Sequence, residues 1–144
     1  MIALLDVNVL VALFDPSHTH HESAHRWLER ERRAGWATCP ITENGLVRVI
    51  SNSSYPGRQS TVQDVVQRLG AFRQSGDHAF WSDMLSLCES TIFRPASLGS
   101  HRRLTNAYLL ALAVENGGRL ATFDRSIPLS AVVAAEEEHL ALIS

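Results

Sequence analysis

Residues 2–14 read IALLDVNVLVALF. Ile2 to Leu5 is a continuous apolar run of strand length that ends abruptly at Asp6, the pattern of a strand buried on both faces of a parallel sheet. Val7 to Phe14 then reads as a short helix. The stretch is apolar enough to resemble a secretory leader, but no basic segment precedes it, and Asp6 and Asn8 interrupt it. It also falls short of a membrane span. A strand that stops on an acid and passes straight into a helix opens a layered α/β unit, and the rest of the chain continues that alternation.

After a break at Asp15-Pro16-Ser17, His20 to Arg33 predicts a helix. Ala24, Trp27 and Leu28 share its inner face, and Glu22/Arg26 and Glu29/Arg33 are i,i+4 pairs outside. Gly35 stops it. Trp36 to Cys39 is a second short strand, and Pro40 leads into a helix running to about Ile50 with Thr42 as its N-cap. In that helix Glu43 shares the buried stripe with Leu46, Val47 and Ile50, where an acid calls for a purpose. SNSSYPGRQS at 51–60 is a turn-rich loop. Thr61 to Arg73 makes a further helix. His78 to Trp81 reads as a strand followed by a helix through Cys88 that Asp83 begins or caps. From Thr105 the run AYLLALAV is apolar on every side and must be central and covered, with Gly117-Gly118 ending it. Arg119 to Thr122 and Leu140 to Ile143 supply the last strands. Strands alternating with helices over residues 1–144 imply one domain, with a short central parallel sheet between helical layers.

The bulk composition fits that architecture and narrows the chemistry. With 144 residues, 45% hydrophobic and 19% charged, the chain can bury one sizeable core. Thirteen basic and fifteen acidic residues give a formal charge of −2, so any grip on a polyanion must be local. All thirteen basic residues are arginine. The absence of lysine excludes a P-loop, a pyridoxal Schiff base and serine–lysine catalysis. Cys39 and Cys88 are far apart with no CxxC, and both are expected as reduced, buried thiols in a reducing cytoplasm.

In a parallel α/β sheet the ligand crevice lies outside the carboxyl ends of the strands. Asp6 and Asp124 each sit just past a strand, and Glu43 and Asn106 each sit in the first turn of a helix that follows one. Several carboxylates in one crevice repel, so one is driven to protonate unless a cation neutralises them. Mg2+ or Mn2+ accepts oxygen ligands, keeps waters and couples to phosphate, which makes phosphodiester hydrolysis the economical chemistry. Thr122 and Ser126 flank Asp124 and could hydrogen-bond phosphate or water, although strand-end and turn chemistry accounts for them equally well. Arg48, Arg58, Arg102, Arg103 and Arg125 lie near the site segments in sequence and are candidates for phosphate contacts. Tyr55 and Trp81 are expected to pack in loop and core rather than stack on bases.

Taken together, LLDVNVL at 4–10, Glu43 in the helix TENGLVRVI, and TNAYLLALAVENGGRLATFD at 105–124 resemble a PIN domain of the VapC toxin type over nearly the whole chain. The resemblance implies a three-layer α/β/α sandwich and a metal-dependent endoribonuclease using Mg2+ or Mn2+ on an RNA substrate. It also implies a cytoplasmic homodimer silenced by a cognate VapB-like antitoxin. By motif position Asp6, Glu43 and Asp124 match acidic active-site and metal-binding residues, and Asn8 matches the polar residue of the first strand–helix turn. Members of the family usually carry aspartate where this chain has Asn106. Asparagine offers a neutral carbonyl, leaving three acids instead of four, so metal should be held less tightly. Asn106 would then be a weaker ligand or would orient a water. The alternative is a PIN domain that binds RNA or antitoxin without cutting, which only the residue at 106 favours.

Two other chemistries have sequence support. His21-Glu22-Ser23-Ala24-His25 matches HExxH, the zinc metalloprotease signature. The match continues into a charged surface run from Glu29 to Arg33, and its extended HxxGxxH form fails at Leu28 and Glu31. Two histidines at a helix edge are therefore the expectation. Asp6-Val7-Asn8-Val9-Leu10 after an apolar strand also resembles the first motif of haloacid-dehalogenase-type phosphatases, but the second acid is Asn8 and the lysine of that family is missing.

Overall fold

The computed structural model describes all residues, Met1–Ser144. Strands β1 (Ala3–Leu5), β2 (Trp36–Thr38), β3 (His78–Phe80), β4 (Arg119–Thr122) and β5 (Leu140–Leu142) form one parallel sheet in the order β3-β2-β1-β4-β5. The helices are α1 (Val7–Phe14), α2 (His21–Glu31), α3 (Pro40–Ser51), α4 (Val62–Arg73) and α5 (Leu104–Glu115). Successive strand residues point to opposite faces. Ala3, Leu5, Trp36 and Ala121 therefore join one buried cluster with α1 to α4, while Leu4, Ala37 and Leu120 join a second with α5. This is the α/β/α sandwich that the alternation of elements implies.

The all-apolar helix is central, as expected: Ala107 and Leu109 to Ala113 are buried. Its outer side is covered by coil rather than by another helix. Phe93, Ile127, Ala131 and Val132 close over it, and an isolated bridge joins Phe93 to Val132. On the other face α3 comes close to α1 because Gly45 has no side chain. A Cβ there would stand 2.6 Å from Val7 Cγ2.

Four local expectations change. Residues 82–88 are not helical. Ser86 Oγ accepts from the Cys88 N–H, and Glu89 accepts from the Ser86 N–H, so side chains compete for the groups a helix would use. Asp83 therefore caps no helix, and Cys88 is exposed while Cys39 is buried. The N-cap of α3 is Cys39, not Thr42. Thr42 sits in the first turn and its hydroxyl accepts the Cys39 N–H at 3.0 Å. Glu22 and Arg26 do pair, at 3.9 Å. Glu29 and Arg33 do not, because the chain tightens into a 3₁₀ turn at Arg32–Ala34; Glu31 instead reaches Arg119 at 3.2 Å.

Candidate active site

The chain lays down β1, β2 and β3 in one direction and then returns to the other side of β1 for β4 and β5. The reversal falls between β1 and β4, and an α/β sheet takes its ligand outside the carboxyl ends of the strands at such a point. Asp6 leaves β1 there as the N-cap of α1, its Oδ1 accepting from the Val7 N–H at 2.7 Å. Its Oδ2 accepts from Thr122 Oγ1 at 2.7 Å. Thr122, wholly buried at the end of β4, also accepts from Asn8 Nδ2 at 3.2 Å and from the Asp124 N–H at 3.0 Å. Asn8 Oδ1 in turn accepts the Phe123 N–H at 3.3 Å. Asp124 Oδ1 accepts from the Ser126 N–H at 2.8 Å and its hydroxyl at 2.7 Å, and Oδ2 accepts from Asn106 Nδ2 at 3.0 Å. One hydrogen-bonded network thus joins Asp6, Asn8, Asn106, Thr122, Asp124 and Ser126.

The two acids of this network are pushed apart. Asp6 is only 5% exposed, and burial raises its pKa despite the bonds from Thr122 and Val7, with the Asp124 charge adding to the rise. Asp124 is held below the usual carboxylate range by the Ser126 hydroxyl and N–H, then by Asn106 and the nearby Arg103 charge. The donor set suits a hard divalent cation. Two carboxylates supply eight lone pairs between them, of which five donor contacts occupy a part, and the Asn106 carbonyl oxygen takes no protein donor. One or two carboxylates with waters and substrate phosphate are the ordinary holding of Mg2+. A cation would also stabilise the ionised form of Asp6, which burial, and then the Asp124 charge, disfavours.

Glu43 stands in a separate network. Its Oε2 accepts from the buried Thr38 hydroxyl at 2.6 Å and lies 3.3 Å from Arg73 Nη1. The Thr38 hydroxyl meets His78 Nε2 at 2.7 Å, so that nitrogen is the donor. Burial and then the Arg73 charge lower the His78 pKa, in keeping with a neutral ring. Arg73 also lies over the Phe80 ring at 4.9 Å. The structure therefore answers why an acid lies on the buried stripe of α3, but it joins Glu43 to Arg73 and Thr38 and not to the Asp6–Asp124 network. No three His, Cys, Asp or Glu side chains form a metal cluster.

Arg73 was not legible as a partner of Glu43, since only the antiparallel pairing of α3 and α4 brings the end of one beside the start of the other. Of the five arginines singled out from sequence, none makes an ion pair within 4.0 Å. Arg103 lies close enough to act on Asp124, and Arg102 and Arg125 are exposed nearby in sequence. Arg48 is exposed on α3. Arg58 lines a cavity of about 740 Å³ between the end of α1, the 55–60 loop and α4, together with Arg68 and Tyr55. Arg68 lies over the Phe14 ring at 5.0 Å. Tyr55 donates to Asp15, which lowers the Asp15 pKa; burial, and then the bond to Asp15, pushes the tyrosine up to about 12. Helix α1 separates this cavity from Asp6 by roughly 12 Å, eight residues at 1.5 Å each. Tyr55 and Trp81 pack as expected, the latter in the core.

The HExxH histidines serve α1. His21 Nδ1 meets the Ala12 carbonyl at 2.7 Å and His25 Nε2 the Leu13 carbonyl at 3.0 Å, so both rings satisfy carbonyls left open at the helix end. Their rings stand edge to face at 4.4 Å, and Glu22 is exposed beside Arg26. The pair has no third ligand near it.

The chain matches the PIN domain family model over residues 3–133. Ribonuclease VapC44 of Mycobacterium tuberculosis is 46% identical over 143 residues, covering 99% of this chain and 100% of the relative. Ribonuclease VapC39 of the same organism is 44% identical over 131 residues, 91% of this chain and 94% of its own length. The crystal structure of Mycobacterium tuberculosis VapC20, a sarcin-ricin loop cleaving toxin, superposes with a TM-score of 0.61 at 15% identity, covering 93% of this chain and 98% of that one. The sheet order, the acidic network at the β1/β4 reversal and these likenesses agree: the chain is a PIN-domain protein and belongs to the VapC ribonuclease family.

Proposed function

We propose that the crevice between β1 and β4 hydrolyses RNA phosphodiester bonds, as the active site of an endoribonuclease toxin. The observation that carries this is the Asp6–Thr122–Asp124 network, which holds two carboxylates at the point of the sheet where an α/β fold binds ligand. Asp6, fixed by the Val7 N–H and the Thr122 hydroxyl, and Asp124, fixed by Ser126 and Asn106, would hold Mg2+ or Mn2+ on their unused lone pairs. Bound there, the cation supplies charge against the phosphate and lowers the pKa of the attacking water. Asn106 donates its amide N–H to Asp124 and keeps its carbonyl oxygen free as a weak ligand. Glu43, positioned by Thr38 and Arg73, assists as ligand or as the base that orients water. Arg103, with Arg102 and Arg125, takes flanking phosphates, and Arg48 and Arg58 extend the basic surface.

Kinship with the VapC ribonucleases supports a cognate VapB-like antitoxin and a homodimer, both within the cytoplasm. No helix is long and apolar enough to cross a membrane. The test is cleavage of a mixed structured RNA by the purified chain in magnesium, manganese or EDTA, with Asp6→Ala and Asn106→Asp alongside. Cutting that needs the cation and Asp6 is expected. Full cutting by a folded Asp6→Ala variant would overturn the site. Cutting by Asn106→Asp alone would make the natural chain an RNA- or antitoxin-binding module on a nuclease frame.

A further inference from the structure

One aromatic contact beside the carboxylates has no part in the chemistry above. The His20 imidazole lies parallel to the Phe123 ring, centroids 4.6 Å apart and planes at 20°. Phe123 stands between Thr122 and Asp124, and its own N–H is bonded to Asn8 Oδ1, so its position is registered to the acidic network. Its ring is half-buried against the core, whereas His20 is exposed. His20 is anchored by its backbone: its carbonyl accepts from the Ala24 N–H at 2.9 Å and the Ser23 hydroxyl at 3.2 Å, and its N–H donates to His18 Nδ1 at 3.0 Å. The His18 ring flanks it at 5.8 Å, tilted by 44°.

The nitrogens of that ring decide what it is for. Of the seven histidines, five use a ring nitrogen on a protein partner: His18, His21, His25, His78 and His139. His20 and His101 do not, and only His20 lies against an aromatic ring next to Asp124. An exposed imidazole with both nitrogens free, stacked on the ring of the residue that directly precedes Asp124, offers a π face and polar edges beside the carboxylates. Unpaired RNA bases, splayed from a loop or end, are taken up on such surfaces, histidine included.

On the reading that the crevice cuts RNA, we propose that the His20–Phe123 stack is a subsite for an unpaired nucleobase next to the scissile phosphate. The base continues the column of rings on the exposed face of His20, with His18 as a side wall, and its backbone then passes Asp124 and Arg103. The subsite thus selects single-stranded or flipped-out nucleotides and excludes a continuous duplex from the crevice.

The test uses a short single-stranded oligoribonucleotide of mixed sequence carrying 2-aminopurine, titrated in EDTA so that it stays uncut, together with cleavage of structured RNA in magnesium. For the natural chain, binding quenches the 2-aminopurine. His20→Ala is expected to weaken binding roughly 5- to 150-fold, the value of one stacked base, and to abolish the quench. In cleavage the loss falls on KM more than on kcat. His20→Tyr restores both readouts and His20→Leu neither, while all three variants keep the thermal midpoint because the side chain is exposed. Unchanged binding by His20→Ala, or equal behaviour of the Tyr and Leu variants, overturns the subsite and leaves the nuclease intact. A natural chain that neither binds nor cuts RNA overturns both.

Discussion

Thr122→Val removes one hydroxyl and nothing else of comparable size, yet that hydroxyl makes three hydrogen bonds. Asp6 Oδ2 loses its only donor in a buried setting, which costs about 1.5–3 kcal/mol for an ionised acceptor. Asn8 Nδ2 and the Asp124 N–H are nearer water, and together add about 1 kcal/mol. The sum, about 3 kcal/mol, lowers the thermal midpoint by roughly 10 °C in a chain of this size. The cost should depend on pH in a definite sense. The folded pKa of Asp6 lies above its unfolded value, so the stability it contributes is full below the unfolded pKa and is lost as pH rises through the folded one. Removing a bond to the ionised form raises the folded pKa further. The difference between variant and natural chain is therefore largest at neutral pH and shrinks on acidification into the carboxylate range. Urea denaturation across pH measures it, with Thr122→Ser, which keeps the hydroxyl, losing only about 1 kcal/mol for its missing methyl. A cost below about 0.5 kcal/mol, or one that does not change with pH, would refute the role given to this hydroxyl.

Asn106→Asp exchanges a donor 3.0 Å from Asp124 for a second carboxylate. Without metal it should lose about 1–2 kcal/mol, and with magnesium it should gain more thermal stability than the natural chain does; a variant whose midpoint ignores magnesium contradicts the site. His21→Ala leaves the Ala12 carbonyl without its donor and costs about 1 kcal/mol in denaturation, with cleavage unchanged. A large loss of cutting in the folded variant would revive a zinc centre. Gly45→Val drives a side chain into Val7, whose Cγ2 lies 2.6 Å from the new Cβ. It should cost about 2–3 kcal/mol and slow cleavage, because Val7 directly follows Asp6; an unperturbed rate would show that α1 does not position the acid.

Asp6 and Asp124 were legible because a buried strand that stops on an acid is a local signal, and the parallel order of the strands then brings distant stops to one edge. Ser126 followed from its place beside the second of those stops, and Asn106 from its place in the first turn of a helix. Glu43 was legible as an anomaly on an apolar stripe, but not its partner, since Arg73 meets it only through the pairing of α3 with α4. The mistaken helix at 82–88 has the opposite cause: its apolar residues are spaced for a helix, yet Met84 and Leu87 are exposed, so no buried stripe exists to stabilise one. Cysteine placement failed for the same segment. The stacking of His20 on Phe123 joins the α1–α2 connection to the end of β4 and left no trace in either stretch read alone.

In the proposed reaction Asp6 and Asp124 act as one site. Cleavage rates of Asp6→Asn, Asp124→Asn and the double variant, each checked for folding, test it most directly. Residues that act as a unit are strongly non-additive. Each single change is therefore expected to cost nearly as much as both together. Losses that multiply, or a single variant that cuts RNA at the natural rate, would mean that the two carboxylates do not share the reaction.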